Sequence, residues 1–244
     1  MTDFARRLTE AERVMHHENR RPKDAATLLI LDRQGKDVHV LMGKRHQGHV
    51  FMPGKFVFPG GRVDPTDSRV PIASDYDETT RQRVMARMRA PKTAARARAL
   101  AVTAVRETYE EVGLFIGAQS AKKLVGADWA AFAERSLLPD LAPFRLVARA
   151  ITPPRRPRRF DTRFFAISAQ HIADRLPEGT GPSGELEEVQ WVPLRDVAHL
   201  DMPTVTKTVI DELLIRLDAD PDLREAGPVS FYHWRGRGFV RETV

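Results

Sequence analysis

Three glutamates fall inside the short run Arg106-Glu107-Thr108-Tyr109-Glu110-Glu111-Val112-Gly113. A helix advances about 100° per residue, so Glu107, Glu110 and Glu111 share an arc of roughly 100°. Ala101, Val105, Thr108 and Val112 lie on the other side. The spacing therefore predicts one long helix with a core face and an acid face, capped by Thr93 and ending at Val112. Gly113 is its C-terminal stop. The acid face carries two penalties. Glu107 is a like-charge neighbour of both other glutamates, and each such pair costs about 0.2–0.5 kcal/mol. Glu110 and Glu111 also occupy the last turn, where the helix dipole disfavours anions. Arg106, four residues before Glu110, offsets part of this. A divalent cation offsets the rest, because hard cations such as Mg²⁺ are held by carboxylate oxygens. The plainer alternative is a solvated acidic face.

Upstream, Phe58-Pro59-Gly60-Gly61-Arg62-Val63-Asp64-Pro65-Thr66-Asp67 forms a glycine-centred turn after a short predicted strand, 56–58. Paired glycines let backbone approach backbone or ligand closely. Together, this turn and the Arg-Glu-x-x-Glu-Glu helix resemble the signature of the Nudix hydrolases, from Gly61 through Asp67 to Arg106–Leu114. Asp67 stands where the family has Glu, and Thr108 where it has an apolar residue. Between Asp67 and Arg106 lie 38 residues, where the family has seven. Phe-Pro-Gly-Gly-x-x-Asp-Pro-x-Asp is similar to the coenzyme A diphosphatase branch, and the long insertion resembles the split box of its acyl-CoA-hydrolysing members. Ile151-Thr152-Pro153-Pro154 followed by Arg159-Phe160-Asp161-Thr162-Arg163-Phe164-Phe165 is similar to a segment of that branch. Leu41-Met42-Gly43-Lys44-Arg45 and Gly54-Lys55-Phe56-Val57-Phe58 partly match its coenzyme A motif. The resemblance covers residues 25–200.

The resemblance implies an α/β fold, a Nudix-type α/β/α sandwich with a mixed sheet. It implies hydrolysis of a phosphoanhydride in a nucleoside diphosphate derivative, coenzyme A or acyl-CoA first, with Mg²⁺ or Mn²⁺ as cofactor. Glu107, Glu110 and Glu111 would ligate metal, joined by the Gly60 carbonyl. Glu107 is the box position most often cast as general base, and Glu111 and Arg106 complete the catalytic set. Arg106 is expected to orient Glu110 rather than touch substrate. An acid outside the box is expected among Glu185, Glu187 and Glu188, with Glu187 chosen. Arg45 and Lys55, with Lys44 beside them, flank the glycine turn and could face phosphates. Arg159, in a loop stiffened by prolines, could bind a 3′-phosphate bidentately. Each of these cations has an alternative reading as an exposed surface charge. A homodimer is expected by resemblance only.

Composition narrows the rest. Apolar residues are 42% and charged residues 30% of 244, ordinary for a soluble domain. No apolar run approaches the ~20 residues needed to span a bilayer, so no membrane partner is expected. Residues 1–21 are polar with acidic members, unlike a signal peptide. Cysteine is absent, which excludes disulfides and thiolate chemistry and is compatible with a cytoplasmic location. The formal charge of +6 suits a phosphorylated small molecule or nucleic acid. Nucleic acid is the weaker reading, because no aromatic-basic stacking surface is evident apart from Trp234-Arg235-Gly236-Arg237. The histidines, among them His16, His17, His46 and His49, show no metal-ligand spacing. The remaining rivals are ADP-ribose or another nucleoside diphosphate as substrate, RNA end processing, and a non-catalytic ligand sensor.

Along the chain, residues 1–24 read as a helical extension, 25–218 as the main domain with the insertion at 68–92, and 219–244 as a tail. The aromatics of that tail should pack on the domain or a second subunit. Strands are expected at 25–31, 38–42, 56–58, 114–116, 144–151, 163–167 and 188–192, the last of the set. Helices are expected at 2–20, 78–89, 93–112, 128–135, 194–200 and 204–217. A loop is expected at 48–54. The insertion is expected to cap the substrate groove.

Overall fold

A computed structural model describes residues 3–11, 15–48, 52–225 and 227–244. Residues 49–51 of the expected 48–54 loop, His49 included, lie outside the described residues, as do residues 2 and 12–14 of the expected first helix. Helix α1 is Asp3–Glu10. The run Ala-Ala-Thr-Leu-Leu-Ile-Leu lies within β1, Lys23–Gln34, and a turn at Gly35 (φ 64°) leads into β2, Asp37–Arg45. Both strands extend beyond the apolar runs that mark them in the sequence. Short strands β3 (Phe56–Val57) and β4 (Gly60–Arg62) follow. Next come α2 (Glu78–Met85), α3 (Ala94–Val112), β5 (Leu114–Ile116) and β6 (Ala118–Gln119). After them stand α4 (Ala130–Glu134), β7 (Leu137–Leu138), β8 (Arg145–Ile151), β9 (Phe160–Ser168), β10 (Ile172–Arg175) and β11 (Leu186–Pro193). The chain continues through α5 (Thr204–Ala219), β12 (Ser230–Arg235) and β13 (Gly238–Thr243).

Among the described residues the main sheet is mixed, in the order β11-β2-β1-β9-β8-β12-β13, with β3 on β2 and β4 on β1. A strand buried on both faces reads as a continuous apolar run, which explains β1. Leu28 and Ile30 pack with Leu100, Ala101 and Val105 of α3, whereas Leu29 and Leu31 pack with Val209 and Leu213 of α5. The α/β sandwich with a mixed sheet expected from the sequence is the architecture found. Three elements differ. Helix α1 ends at Glu10, and residues 15–20 of the expected first helix are not helical. Residues 194–200 supply only a 3-10 turn, Val197–His199, rather than a helix. Strand β11 is not the last: β12 runs parallel to β8 (Ser230↔Ala148) and turns back through β13. The tail aromatics are thereby accounted for within the chain. Phe231, Tyr232 and Phe239 are buried, and Trp234 lies edge-on to Phe239.

Rather than covering the acids, the insertion docks beside the N-terminal half of α3. Tyr76, Val84 and Met88 enter the core shared with α3. The Tyr76 hydroxyl donates to Ala97 O at 3.1 Å, and Ala73 N donates to Pro139 O at 2.8 Å. Arg149 Nη1 reaches Ala86 O at 2.8 Å, and Arg96 Nη1 reaches Arg89 O at 2.5 Å. Ala97 precedes Glu107 by about 15 Å of helix rise. The insertion is thus a brace for the sheet's β8–β12 side.

Candidate active site

Helix α3 carries the acids and is fixed at both ends. Thr93 Oγ1 accepts from Arg96 N at 3.1 Å, and Gly113 (φ 71°) returns its N–H to Tyr109 O at 2.9 Å. Orphan carbonyls of the last turn are met by the 176–185 loop: Ser183 N donates to Glu110 O at 2.8 Å and Gly181 N to Glu111 O at 3.2 Å. A Cβ on Gly181 would collide with that backbone. The helix end and the glycine turn therefore meet where β4 lies on β1, Gly60 opposite Thr27 and Gly61 opposite Ala26.

Glu111 is 2% exposed and accepts from Gly60 N at 2.9 Å. Burial pushes its carboxyl well above the usual range, and the charge of Glu107 adds to the rise. Glu107 lies so close to Gly61 that a Cβ there would overlap its carboxylate. Its carboxyl is pushed up to about 7, first by burial and then by Glu110 and Glu185, with Arg106 opposing. Burial raises Glu110 as well, again against Arg106. These carboxyls are not a freely solvated face.

Arg106 is the pivot. Its Nη1 donates to Glu107 Oε1 at 2.9 Å and to Glu110 Oε2 at 3.0 Å. Its Nε and Nη2 donate to the two oxygens of Asp67 at 3.1 and 3.2 Å. Asp67, 1% exposed, also accepts from Asp64 N at 2.9 Å and Thr103 Oγ1 at 2.7 Å.

No family model matches the chain, and no curated protein matches it. Solved structures do. A crystal structure of a Nudix hydrolase from Alicyclobacillus acidocaldarius is 28% identical over 83% of this chain and 94% of its own, with a TM-score of 0.58. The chain shares the fold of that Nudix hydrolase. Two looser likenesses are the MutT protein from Methanosarcina mazei and the NrtR Nudix domain of Shewanella oneidensis solved with ADP-ribose. The first is 15% identical over 84% of this chain and 99% of its own, TM-score 0.46. The second is 15% identical over 89% and 99%, TM-score 0.44.

Around the three acids of α3, the other residues singled out in the sequence divide. Of the three outside acids, Glu185 is the one whose charge raises both Glu107 and Glu111. It lies 3.6 Å from Arg45, whose own charge lowers Glu111. Glu187, chosen from the sequence, instead lies 3.3 Å from His46 Nε2, and Glu188 pairs with Lys44 at 2.9 Å. The difference comes from β11, whose register slips against β2 between Glu187 and Gln190 and whose Glu188 sits at φ 47°. No sequence period reports such a slip. Lys55 pairs with Asp201 at 2.5 Å. Arg159 is not brought to the acids. It donates to Thr152 O, Asn19 Oδ1 and Arg20 O at 3.2, 2.8 and 2.6 Å. It precedes Phe160, which faces Lys23, about 13 Å along β1 from Thr27. Gly60 meets the acids through its N–H.

Three oxygen-donor carboxylates with only one guanidinium among them fit a hard divalent cation in chemistry. Among the described residues no three acids or histidines converge closely enough to enclose an ion as the side chains stand. Arg106 Nη1 lies between Glu107 and Glu110. A cleft of about 430 Å³ lies on the α5 side, lined by Leu31, Arg33, Ala166 and Leu223, and none of the acids lines it. The carboxylate chemistry, rather than that cleft, locates the site. Among the described residues no helix is long and apolar enough to cross a membrane.

Proposed function

We propose that this chain is a Nudix hydrolase that cleaves the phosphoanhydride of a coenzyme A-type nucleoside diphosphate with Mg²⁺ or Mn²⁺. The carrying observation is the cluster of raised carboxyls, Glu111 buried and Glu107 and Glu110 half-buried, against the Gly60-Gly61 turn. A divalent ion held by these carboxylates, with the Gly60 carbonyl, would supply charge neutralisation at the phosphoryl oxygens and a more acidic water. Glu107, against the Gly61 turn and held by Arg106, would accept a proton from the attacking water. Water oxygen bonds to phosphorus, the bridging P–O bond breaks, and the products are a phosphopantetheine and adenosine 3′,5′-bisphosphate. Arg106 orients Glu107 and Glu110. Arg45 and Lys55 would meet substrate phosphate by exchanging Glu185 and Asp201 for it. The coenzyme A assignment is supported by the Phe58–Asp67 and Arg159–Phe165 segments that resemble that branch. A cytoplasmic homodimer is the expected assembly, which light scattering checks.

The test is hydrolysis of coenzyme A, acyl-CoA, ADP-ribose, NADH and capped RNA with Mg²⁺ or Mn²⁺, beside Glu111→Gln. Coenzyme A compounds should be cleaved fastest, and on the order of 100-fold more slowly by the variant. Preference for another member would discard the substrate class and keep the chemistry. A wild type inert toward all of them would overturn the catalytic reading.

A further inference from the structure

The chain leaves the site at Asp67 and regains it only in α3, with residues 68–93 spent elsewhere. Two side chains of α3 bridge that break, and Arg106 is one. The other is Thr103, which is fully buried, with Oγ1 2.7 Å from Asp67 Oδ2 and 2.7 Å from Ala99 O. A hydroxyl has one proton, and a buried carboxylate is a stronger acceptor than a helical carbonyl. Thr103 therefore completes a set of four donors on Asp67: its own O–H, Asp64 N–H, and Arg106 Nε and Nη2. Three of these donors meet Oδ2 and one meets Oδ1, so the carboxylate is held in one orientation. The guanidinium of Arg106 is planar and rigid. Fixing its Nε/Nη2 edge on Asp67 fixes where Nη1 stands, and with it the Glu107 and Glu110 carboxylates.

We propose that Thr103 is a positioning residue for the acid cluster, acting through Asp67 and Arg106 to hold the two separated halves of the site in register. It touches neither substrate nor metal. The proposal rests on the metal-dependent reading above. Thr108 supplies an internal comparison. It is equally buried on the same helix and its hydroxyl bonds only Ala104 O at 2.7 Å, with no carboxylate attached.

The experiment measures Mn²⁺ binding by EPR of the free ion, kcat and KM on the best-cleaved substrate, and Tm. It compares the wild type with Thr103→Val, Thr103→Ser and Thr108→Val. Thr103→Val should weaken Mn²⁺ binding and lower kcat about tenfold each, the scale of one hydrogen bond to a charged group, with KM little changed. Thr103→Ser, which keeps the hydroxyl, should restore both, and Thr108→Val should match the wild type. Wild-type Mn²⁺ affinity and kcat in Thr103→Val would overturn the proposal. So would equal impairment of all three variants, which would make Thr103 a packing residue. If Thr103→Val lacks a cooperative melt, Asp67→Asn examines the same clasp from its other side; unchanged Mn²⁺ affinity there would overturn it. A wild type that neither binds Mn²⁺ nor cleaves any substrate brings down the metal reading itself, a result distinct from failure of the clasp alone.

Discussion

Among the described residues, the buried Glu111 carboxylate accepts from a single donor, Gly60 N–H. A buried charge with so little compensation destabilises the fold that carries it. Glu111→Gln is therefore expected to raise Tm in metal-free buffer while lowering kcat on the order of 100-fold. Mg²⁺ should raise the Tm of the wild type by mass action and leave the variant's nearly unmoved. Scanning calorimetry with and without EDTA reads both effects. Asp161 is the opposite case. Arg149 grips it with two hydrogen bonds at 2.7 and 2.8 Å, and Arg163 lies 3.0 Å away, all of them buried. Burial alone would raise its carboxyl, but Arg149 and Arg163 outweigh that and hold it below the ordinary 3.8. A depressed folded value means the stability is present above about pH 4 and is lost as pH falls through the lower folded value. Asp161→Asn should cost about 3–5 kcal/mol near neutrality, since it strands buried guanidinium charge. It should also flatten the loss of stability between pH 4 and 2, which urea melts across that range measure.

At the level of elements, α3 was legible because its signals are local. The alternation of Ala101, Val105, Thr108 and Val112 with the acids, the Thr93 cap and the Gly113 stop all lie within one helix. The role of Arg106 in orienting Glu110 could be read from i,i+4 spacing. The resemblance placed Asp67 at an acid position without naming Arg106 as its partner, Glu185 was one of three candidates with Glu187 chosen, and Thr103 was not found at all, because these partners are distant in sequence. The insertion shows the same limit. Its helix was evident, but nothing in residues 68–92 says which surface it covers. Its docking changes what its loss should do. Met88 is 2% exposed within the α3 core, so Met88→Ala should cost about 2–5 kcal/mol. KM should stay near the wild-type value, because the cavity opens far from the acids. A raised KM with unchanged stability would instead return the insertion to the substrate groove.

Across the whole molecule, the ends of the described chain are fastened to each other through the sheet. Thr9 Oγ1 of α1 accepts from Phe239 N of β13 at 2.9 Å, Arg7 pairs with Asp211 of α5, and Glu212 binds Arg241 at 2.7 Å as well as the Tyr232 hydroxyl. The aromatic tail escaped the sequence reading as a hairpin because its partner strand, β8, is far away in the chain. Phe239→Ala should therefore cost about 3–5 kcal/mol, measured by urea melts, and leave the Mn²⁺ response intact. The bridge across the insertion has a different consequence. Residues up to 67 are bound to the rest by the β1–β9 and β2–β11 ladders and the Asp67 clasp, none of which depends on the peptide link near Ala73. A single cut there should give two pieces on a denaturing gel and one particle on a sizing column, still working. Covalent continuity through the site is a convenience of synthesis; what makes the two halves one catalyst is recognition between them, so they could be made as separate genes and used as a reporter of proximity.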